Sequence, residues 1–388
     1  MKIAVIGAKG LPPNQGGIEH YCAEIYPRMV SQGHSVDLYA RSSYSEVPAF
    51  KTTEFDGVRV ISLPCPGLRG ADAFFTSALA ALLTGLKKYD VVHFHALGPS
   101  LFAFVPKVFS SSKVVVSCHG LDWKRNKWGK KSSSLIHYGE RSAVKFADEI
   151  IIVSKDLQHY FTQTYDRETI YIPNAPTSYA NSDPSFAHIR SLGLTPQKYI
   201  LFLGRLVPEK CPDLLIKAFQ HLENQDWKLV LAGGNSDAMS FSSSLIDMAS
   251  DNPNIIFAGE ILGRHLSEMM RGAGLFVLPS DLEGMPLALL EAMQEGIPVL
   301  ASDIAPHRQL LQANQKSNDR GVLFETGNCK DLVRQMKWAI EHPDDLMAMA
   351  EEARSHVKAE YNWDVIAYNT LQVYSAPDTR SIISSHAV

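Results

Sequence analysis

Two glutamates near the end of a predicted strand are the clearest candidates for chemistry. In SDLEGMPLALLEAMQEGIPVLASD, residues 280–303, Glu283 lies in a Gly/Pro loop, and Glu291 lies eight positions later in an apolar run typical of a short helix. A loop carboxylate can accept hydrogen bonds from sugar hydroxyls, and a helix carboxylate can accept the paired hydroxyls of a ribose. The alternative for Glu291 is an ordinary solvated helix position. The apolar residues around it, LALLEAM, favour a buried and hydrogen-bonded role.

The helix that follows Glu283 has a first turn suited to an anion. Pro286 fits the first helical position, where its missing N–H is not needed. The neighbouring amides would surround an amino end that favours negative charge, namely those of Gly284, Met285 and Leu287. Acids beside such an end make electrostatic sense if they bind hydroxyls while the amides bind phosphate.

Two cations follow another predicted strand, in LFLGRLVPEK. Arg205 comes directly after the strand, and Lys210 lies five residues further on. Arg forms forked pairs with phosphate oxygens and Lys acts as a point charge, so together they can neutralise a diphosphate. Two surface cations near a turn are the alternative, but the strand-end position favours a ligand role.

A glycine pair, Gly16–Gly17, ends the first loop, GAKGLPPNQGG, just before a predicted helix. Glycines at a strand-to-helix turn let backbone amides approach an anion. The spacing matches neither G-x-G-x-x-G nor the phosphate loop that ends in G-K-[ST]. A plain tight turn would use the same residues, and we predict phosphate contact here.

Three histidines lie at predicted strands of the first half. His119 follows a strand in CHG, whereas His93 and His95 alternate in DVVHFHALGP. On sequence alone a lone histidine is more often structural, although His119 lies at a strand end, where ligands of α/β sheets bind. For His93 and His95, a buried polar role and an acceptor-site role are equally compatible with the pattern.

These residues belong to a repeating pattern of strands and helices. Apolar runs alternate with amphipathic segments: KIAVIG, SVDLYA, VRVISL, DVVHFHA, KVVVSCHG and EIIIVS, then YILFLGR, WKLVLAGG, NIIFAGE, LFVLPS and IPVLAS. Such runs indicate parallel sheets covered on both faces, and the pattern occurs twice. We therefore expect two doubly wound α/β domains, joined by a Pro-containing linker at about 173–190.

Composition excludes several classes of protein. The 388 residues are 45% hydrophobic and 20% charged, which is typical of a globular chain. The cysteines are odd in number and widely spaced, which argues against a disulfide framework and a zinc site: Cys22, Cys65, Cys118, Cys211 and Cys329. The start, MKIAVIGAKG, lacks signal-peptide features. We expect a cytoplasmic protein that could rest on a membrane surface.

The longest apolar stretch lies within ADAFFTSALAALLTGLKKYD. Residues 73–86 contain no charged side chain, but the run is shorter than the roughly 18 residues of a membrane span. We predict a helix that faces the core.

Charge is divided unevenly along the chain. Residues 1–182 carry 20 Lys and Arg against 15 Asp and Glu, whereas residues 183–388 carry 17 against 26. The net charge of −4 is too modest for a nucleic-acid binder. In residues 122–133, DWKRNKWGKKSS, cations interleave with tryptophan, which suits an anionic interface: Lys124, Arg125, Lys127 and Trp128. We hypothesise contact with a membrane surface or a lipid-diphosphate-linked sugar, and a solvated basic loop is the alternative.

Taken together, these stretches resemble the retaining nucleotide-sugar glycosyltransferases of family 4, and they span nearly the whole chain: GGIE (16–19), CHGLDW (118–123), VSKDL (153–157), IPNA (172–175), LGRLVPEK (203–210), LAGG (231–234) and EGMPLALLEAM (283–293). The resemblance implies an α/β fold of the GT-B type, with two doubly wound Rossmann-like domains facing across a cleft. HGLDWKRNKWGK and IGAKGLPPNQGGIE are similar to a bacterial rhamnosyltransferase-like subgroup that acts on cell-surface polysaccharides.

The resemblance also implies a division of labour. It assigns residues 1–182 to the acceptor, residues 183–360 to the nucleotide sugar, and 361–376 to a helix that crosses back to the first domain, before a tail at 377–388. Gly17 would approach the donor diphosphate, Arg205 and Lys210 would hold it, and Glu291 would hold the ribose. Glu283 and the amides of residues 285–287 would contact the sugar, Glu260 and Ile261 the base, and His119 the sugar at the reaction centre.

The implied reaction needs no cofactor beyond a donor such as a UDP-, dTDP- or GDP-sugar. Transfer occurs on the donor's own face, and the leaving phosphate oxygen helps to take the acceptor's proton. No nucleophilic carboxylate can be assigned, so the protein's contribution is mainly electrostatic. No Asp-x-Asp motif follows a strand in the expected place, and HPDDL at 342–346 suits a helix start. We therefore predict metal-independent catalysis.

Other functions on the same fold remain as alternatives. A nucleotide-sugar epimerase would need neither an acceptor domain nor the basic Trp segment. A phosphorylase would need a pyridoxal-phosphate lysine and normally a much longer chain. A non-catalytic nucleotide-sugar-binding protein would not need the complete set of Gly17, Arg205, Lys210, Glu283 and Glu291.

Overall fold

The computed structural model describes residues 1–13, 16–45, 47–67, 71–124, 129–222, 226–234, 239–312 and 319–377. The chain forms two compact units. The first combines Met1–Asn174 with Asn362–Val388, and the second is Ala175–Tyr361. The first unit is therefore built from both ends of the sequence.

The first unit contains an eight-stranded sheet in the order β3-β4-β2-β1-β5-β6-β7-β8. Its strands are β1 (Lys2–Ile6), β2 (Ser35–Arg41), β3 (Thr52–Phe55), β4 (Val58–Leu63), β5 (Val91–His95), β6 (Lys113–Cys118), β7 (Glu149–Ile152) and β8 (Ile170–Tyr171). All neighbours pair in parallel except β3 with β4. The central strands are apolar and buried, as parallel strands covered on both faces must be.

Helices connect these parallel strands, as right-handed crossovers require. In the first part of the chain they are α1 (Gly17–Ser31), α2 (Asp72–Leu86), α3 (Phe104–Phe109), α4 (Lys130–Phe146) and α5 (Lys155–Tyr165). Short 3₁₀ turns lie at Ser42–Tyr44, Pro99–Phe102 and Asp122–Lys124.

The second unit contains a six-stranded parallel sheet in the order β11-β10-β9-β12-β13-β14. Its strands are β9 (Tyr199–Leu203), β10 (Lys228–Ala232), β11 (Ile255–Gly259), β12 (Leu275–Leu278), β13 (Val299–Ser302) and β14 (Val322–Phe324). Its helices are α6 (Ala187–Ser191), α7 (Pro212–Gln220), α8 (Met239–Ala249), α9 (Gly263–Arg271), α10 (Leu287–Glu295), α11 (Ala305–Leu311), α12 (Cys329–Glu341) and α13 (Pro343–Glu360). One buried core surrounds the sheet.

The last helix, α14 (Trp363–Ser375), packs on α1 of the first unit. Arg28 on α1 donates to Asp364 at 2.7 Å. Lys113 donates to the carbonyl oxygens of Val373 and Ala376 at 2.6 and 2.8 Å, at the helix end that favours cations. These contacts hold the end of the chain in the first unit.

The second unit begins at Ala175, eight residues before the boundary that we expected at 183. The segment after Ala175 already bonds to this unit. Tyr179 donates to Glu291 at 2.7 Å, and Arg271 donates to the carbonyl oxygen of Ala180 at 2.9 Å. The prolines and turn formers that suggested a linker therefore belong in part to a tethered segment.

All eleven apolar runs contain a strand, and three strands were missed. β3 is polar and pairs antiparallel at the sheet edge, so its sequence lacks the apolar run of a central strand. β8 and β14 have only two and three residues, which is too short for a periodic signal.

The expectation that α2 faces the core holds for only one side of the helix. Thr76, Ala80 and Thr84 are buried, but Phe75 and Leu86 are exposed. None of the helices in the described ranges is long and apolar enough to cross a bilayer.

Candidate active site

The order of strands in the second sheet places the loop with the predicted cations next to the loop with Glu283. Chain order reverses between the neighbouring strands β9 and β12, and ligands of open α/β sheets bind at such points. Arg205 follows β9, and Lys210 ends a 3₁₀ turn, Pro208–Lys210, after the same strand. Glu283 lies in the loop after β12.

Lys210 and Glu283 form an ion pair, with 2.5 Å between Nζ and Oε1. The Ser280 hydroxyl donates to the same carboxylate oxygen at 2.7 Å. The side chains are only 18% and 9% exposed, so solvent screens the pair weakly. Within the described part of the chain, Oε2 of Glu283 accepts no hydrogen bond.

Glu283 is held in its ionised form. Burial acts to raise its pKa, but the charge of Lys210 and the hydrogen bonds outweigh burial and leave the pKa lowered. An ionised carboxylate only accepts hydrogen bonds. This suits Glu283 to receive hydroxyl groups and not to donate a proton.

Two buried polar side chains beside this pair were missed by the sequence analysis. Both carboxylate oxygens of Glu209 are buried, and among the described residues they have no hydrogen-bond partner. His307 is fully buried on α11, with Nδ1 2.8 Å from the carbonyl oxygen of Ser302, while Nε2 has no partner in the described structure. Burial lowers the pKa of His307 to about 4, although the nearby charge of Glu283 acts to raise it. Only the tertiary fold reveals these neighbours.

The helix after Glu283 begins one residue later than expected. Pro286 is the residue before α10, with φ −80° and ψ 91°, and so does not occupy the first helical position. Its ψ is extended because the loop is still turning towards the helix. Gly284 and Met285 lie in that loop, and Leu287 is the first helical residue. The predicted amides therefore do lie at the amino end of α10.

Glu291 lies within α10, where its carboxylate already accepts a hydroxyl. The donor is Tyr179, whose hydroxyl is 2.7 Å from Oε2. Burial raises the pKa of Glu291 to about 7, against the hydrogen bonds from Tyr179 and Thr177. The observed partner is thus a protein hydroxyl, and the role at a ribose stays a prediction.

Glu260 and Ile261 follow β11 at the edge of the same sheet. Glu260 is exposed and Ile261 is partly buried. Glu260 and Ile261 thus lie at the carboxyl ends of the strands, as the Arg205 loop does. Because β10 lies between β11 and β9, they do not flank the β9–β12 junction.

In the first unit, His119 ends a chain of hydrogen bonds, of which all but its own are buried. His95 Nδ1 lies 3.0 Å from His119 Nε2, and His95 Nε2 lies 2.6 Å from the Tyr26 hydroxyl. Tyr26 is also 3.0 Å from Nδ1 of His93, which lies 2.6 Å from the Tyr374 hydroxyl on α14. We call these five residues the histidine chain. It connects the loop after β6 to the last helix.

The histidines of this chain are kept neutral. Burial lowers the pKa of His93 to about 3 and that of His119 to about 4, and it lowers the pKa of His95 well below its ordinary value. The charge of Asp122 acts to raise the pKa of His119. At neutral pH these side chains can act as hydrogen-bond donors and acceptors but carry no charge. For His93 and His95 this favours the buried polar role over an acceptor site.

The predicted glycine loop contains a carboxylate that the sequence analysis did not use. Gly16 has φ +103°, and a Cβ there would come within 2.3 Å of Glu19 Oε2. Glu19 Oε1 accepts the backbone N–H of Lys9 at 2.7 Å. The loop before α1 therefore requires glycine, and the first turn that begins at Gly17 already contains one acidic side chain.

The basic aromatic segment is described only in part. Lys124 is exposed, and its Nζ lies 5.5 Å from the ring centroid of Trp123 and 5.8 Å from that of Tyr160. Trp123 donates to the buried Glu140 at 2.9 Å. Three predicted contact residues lie outside the described residues: Arg125, Lys127 and Trp128.

The fold thus brings Lys210 and Glu283 into contact and places Arg205 and Glu291 in the same unit, whereas Gly16, Gly17 and His119 lie in the first unit. Among the residues that the structure describes, no group of three or more His, Cys, Asp or Glu side chains could hold a metal ion. Metal independence stays a prediction.

Comparison with protein families divides the chain in the same way. Residues 15–175 match the model described as Glycosyltransferase Family 4, and residues 186–356 match that described as Glycosyl transferases group 1.

Curated relatives match over nearly the whole length. An uncharacterised glycosyltransferase of Methanocaldococcus jannaschii is 26% identical, over 96% of this chain and 98% of the relative. The D-inositol 3-phosphate glycosyltransferase of Gordonia bronchialis is 25% identical, over 93% of this chain and 84% of the relative.

Solved structures show the same fold. Sucrose-phosphate synthase from Thermosynechococcus elongatus superposes with a TM-score of 0.81 at 20% identity, over 99% of each chain. HepE of Anabaena in complex with UDP-glucose gives 0.78 at 19% identity, over 97% of this chain and 99% of that one. The two α/β units therefore have the GT-B fold.

Proposed function

We propose that the chain is a glycosyltransferase of group 1 and family 4, whose models match its second and first parts, and that it transfers a hexosyl or rhamnosyl residue from a nucleoside-diphosphate sugar to a hydroxyl group with retention of configuration. The observation that carries the proposal is the Lys210–Glu283 pair at the β9–β12 junction. In this pair, a cation suited to a diphosphate lies beside an ionised carboxylate suited to sugar hydroxyls.

The donor's diphosphate and sugar are assigned to this junction. Arg205 and Lys210 neutralise the diphosphate, and the amino end of α10 adds backbone amides that favour the same anion. Glu283 accepts a sugar hydroxyl through Oε2, the oxygen that neither Lys210 nor Ser280 uses. HepE, whose structure contains UDP-glucose, supports a nucleotide-sugar donor of this kind.

Roles for the remaining donor residues come from the family resemblance. Glu291 receives the ribose hydroxyls, Glu260 and Ile261 contact the base, and Gly17 approaches the diphosphate. His119 contacts the transferred sugar. Its lowered pKa supports a neutral hydrogen-bonding role in which no charge is added beside the sugar.

The chemical step balances without a protein nucleophile. The bond between the sugar C1 and the diphosphate oxygen breaks while C1 bonds to the acceptor oxygen on the same face. The acceptor's proton passes to the departing diphosphate oxygen. Arg205, Lys210 and the α10 amides stabilise the negative charge that develops on the leaving group. We propose that no metal is needed, and activity lost in chelator and regained with magnesium would overturn this.

The acceptor is a glycan or lipid-linked saccharide of bacterial cell-surface polysaccharide synthesis, used at the inner face of the membrane. Residues 122–133 suit a phosphate-bearing acceptor, because the sequence there interleaves cations with tryptophan. The relative from Gordonia bronchialis is named for D-inositol 3-phosphate, which is also a phosphate-bearing molecule. An acceptor panel should therefore include both polyprenyl-diphosphate saccharides and soluble sugar phosphates.

The test begins with a thermal-shift screen against UDP-, dTDP- and GDP-sugars, because a bound donor stabilises the fold by mass action. Nucleotide release from the stabilising donor is then measured with and without each acceptor, and NMR gives the anomeric configuration of the product. Release that strictly requires an acceptor supports transfer. An epimerised sugar formed without acceptor would identify an epimerase, and binding without turnover would identify a non-catalytic protein.

A further inference from the structure

Two neighbouring helices of the first unit expose a continuous apolar face. On α2, Phe75, Leu82 and Leu86 are exposed, and on α3 so are Phe104, Val108 and Phe109. Their relative exposures range from 39% to 86%. We call these six side chains the α2–α3 face.

The α2 residues form one stripe because of their spacing. Positions 75, 79, 82 and 86 recur at the period of a helix, and all four are Phe or Leu. The opposite side of α2 is buried. A helix that is apolar all round is normally buried all round, but the Phe75–Leu86 side of α2 is exposed.

α2 and α3 are close enough for their exposed residues to make one surface. A Cβ at Gly85 would lie 3.5 Å from Cβ of Phe109 and 3.6 Å from Cγ1 of Val105. Leu86 follows this contact directly, so it continues the surface that Phe109 begins. Contiguous exposed apolar patches of this kind mark interaction sites.

Cations border the face. Lys87 and Lys88 are exposed immediately after Leu86. Near α3, Lys107 pairs with Asp148, and Lys145 is exposed next to Phe146, whose ring centroid is 6.0 Å from that of Phe104. Residues 73–88 contain no acidic side chain.

We propose that the α2–α3 face docks on an anionic lipid bilayer. Apolar side chains on helices enter the boundary between headgroups and acyl chains, while bordering lysines contact lipid phosphates. A second copy of the chain fits less well. In a two-fold symmetric contact each patch meets the same patch of the other copy, so Lys87 and Lys88 would face a surface to which α2 contributes no acidic side chain from residue 73 onward.

None of the six side chains of the α2–α3 face belongs to residues 122–133 or to the proposed donor residues. Vesicle binding can be measured without turnover. The chain can therefore transfer sugar without binding vesicles, or bind vesicles without transferring sugar.

The test is cosedimentation of the full chain with neutral phosphatidylcholine vesicles and with vesicles that contain phosphatidylserine. We expect Leu82→Ser/Leu86→Ser to lower the partition coefficient for the anionic vesicles about 100-fold, because two buried leucine side chains are lost. Lys87→Ala/Lys88→Ala should lower the partition coefficient for anionic vesicles about 30-fold, with each lysine contributing about tenfold or less. The partition coefficient for neutral vesicles should not change. Ile246→Ser/Leu262→Ser is the matched control, since both side chains are more than half exposed in the second unit.

Circular dichroism melts check that each variant folds. If Leu82→Ser/Leu86→Ser does not fold, Val108→Ala/Phe109→Ala is used in its place. Turnover of a water-soluble acceptor should be unchanged in all of these variants. Vesicle binding equal to that of the unchanged protein would overturn the proposal. So would a dimer in light scattering that the leucine substitutions abolish, or binding lost only on Lys124→Ala/Arg125→Ala/Lys127→Ala.

Discussion

The two units bury polar groups near the carboxyl ends of their strands in contrasting forms. The first unit uses the histidine chain, in which neutral rings and hydroxyls bond to one another. The second uses an ion pair, Lys210–Glu283, and in the same unit the pKa values of Glu291 and His307 move in opposite directions. Similar sheets thus support a neutral network in one unit and a charged site in the other.

The contrast teaches how each unit should respond to protons. In the first unit the pKa values of His93, His95 and His119 are all lowered by burial. In the second, the pKa of His307 is lowered to about 4 but that of Glu291 is raised to about 7. When the pKa shifts have one sign, their effects on the pH dependence of unfolding free energy add, and when the shifts have opposite signs these effects cancel in part.

Acidification should therefore give the largest effect, by weakening the first unit much more than the second. Below pH 6.5 an unfolded histidine binds a proton that the folded histidine refuses, so stability is full above that pH and falls as pH drops. Each of the three histidines should account for up to about 2 kcal/mol of unfolding free energy between pH 6.5 and 5. In the second unit, the raised pKa of Glu291 adds stability as pH falls, which opposes His307.

Urea-dependent hydrogen exchange with mass spectrometry, corrected for intrinsic rates, resolves the two units at pH 7 and pH 5. Peptides from residues 1–174 should lose protection at pH 5, and peptides from 175–361 should lose much less. An equal loss in both would contradict the contrast.

Lys210→Ala tests the charged half of the comparison. It leaves Glu283 buried without its cation and removes one group proposed to hold the leaving diphosphate. We expect kcat to fall about 10²- to 10³-fold, as for other fixed groups that stabilise developing charge. The matched control is Lys217→Ala, an exposed lysine of the same unit that pairs with Asp213. A loss of less than tenfold would remove Lys210 from the reaction.

Tyr26→Phe tests the neutral half. The substitution keeps the ring but removes the hydroxyl that lies between His93 and His95, so buried ring nitrogens lose a partner. We expect about 1–3 kcal/mol less unfolding free energy in urea at pH 7.5. Tyr368→Phe, at an exposed position of α14, should change it by less than about 0.5 kcal/mol. A Tyr26 variant as stable as this control would show that the chain adds nothing to stability.

Arg28→Ala has the smallest expected effect, and it tests which contact holds α14 in the first unit. The Arg28–Asp364 pair is mostly solvent-screened on the Asp364 side, so its loss should cost about 0.5 kcal/mol. Tyr374→Phe, which breaks the buried bond to His93, should cost about 1–2 kcal/mol. Both are measured by urea unfolding. The reverse order would mean that surface charge, and not the histidine chain, holds the last helix.

Much of the fold was predictable because its signals are local. Apolar runs gave eleven strands, and the rule that ligands lie at strand ends pointed to Arg205, Lys210 and Glu283, of which Lys210 and Glu283 form an ion pair. Partners from distant parts of the chain were not predictable. His93 and Tyr374 are 281 positions apart, and no periodic pattern connects them.

Which side chains are buried was the second property that the sequence did not predict. The α2 run predicted a core-facing helix, because apolar composition reports what a side chain prefers and not whether the fold covers it. Likewise Glu209 and His307 look like ordinary loop and helix residues until the fold encloses them.

The return of α14 to the first unit has a consequence for biosynthesis. The partners that α14 brings to Arg28, His93 and Lys113 leave the ribosome only after the whole second unit, roughly ten seconds or more later at about 5–20 residues per second. During that interval the surface of α1 that α14 will cover is open to chaperones and proteases. A nascent chain arrested before Asn362 would contain a complete second unit attached to an unfinished first one.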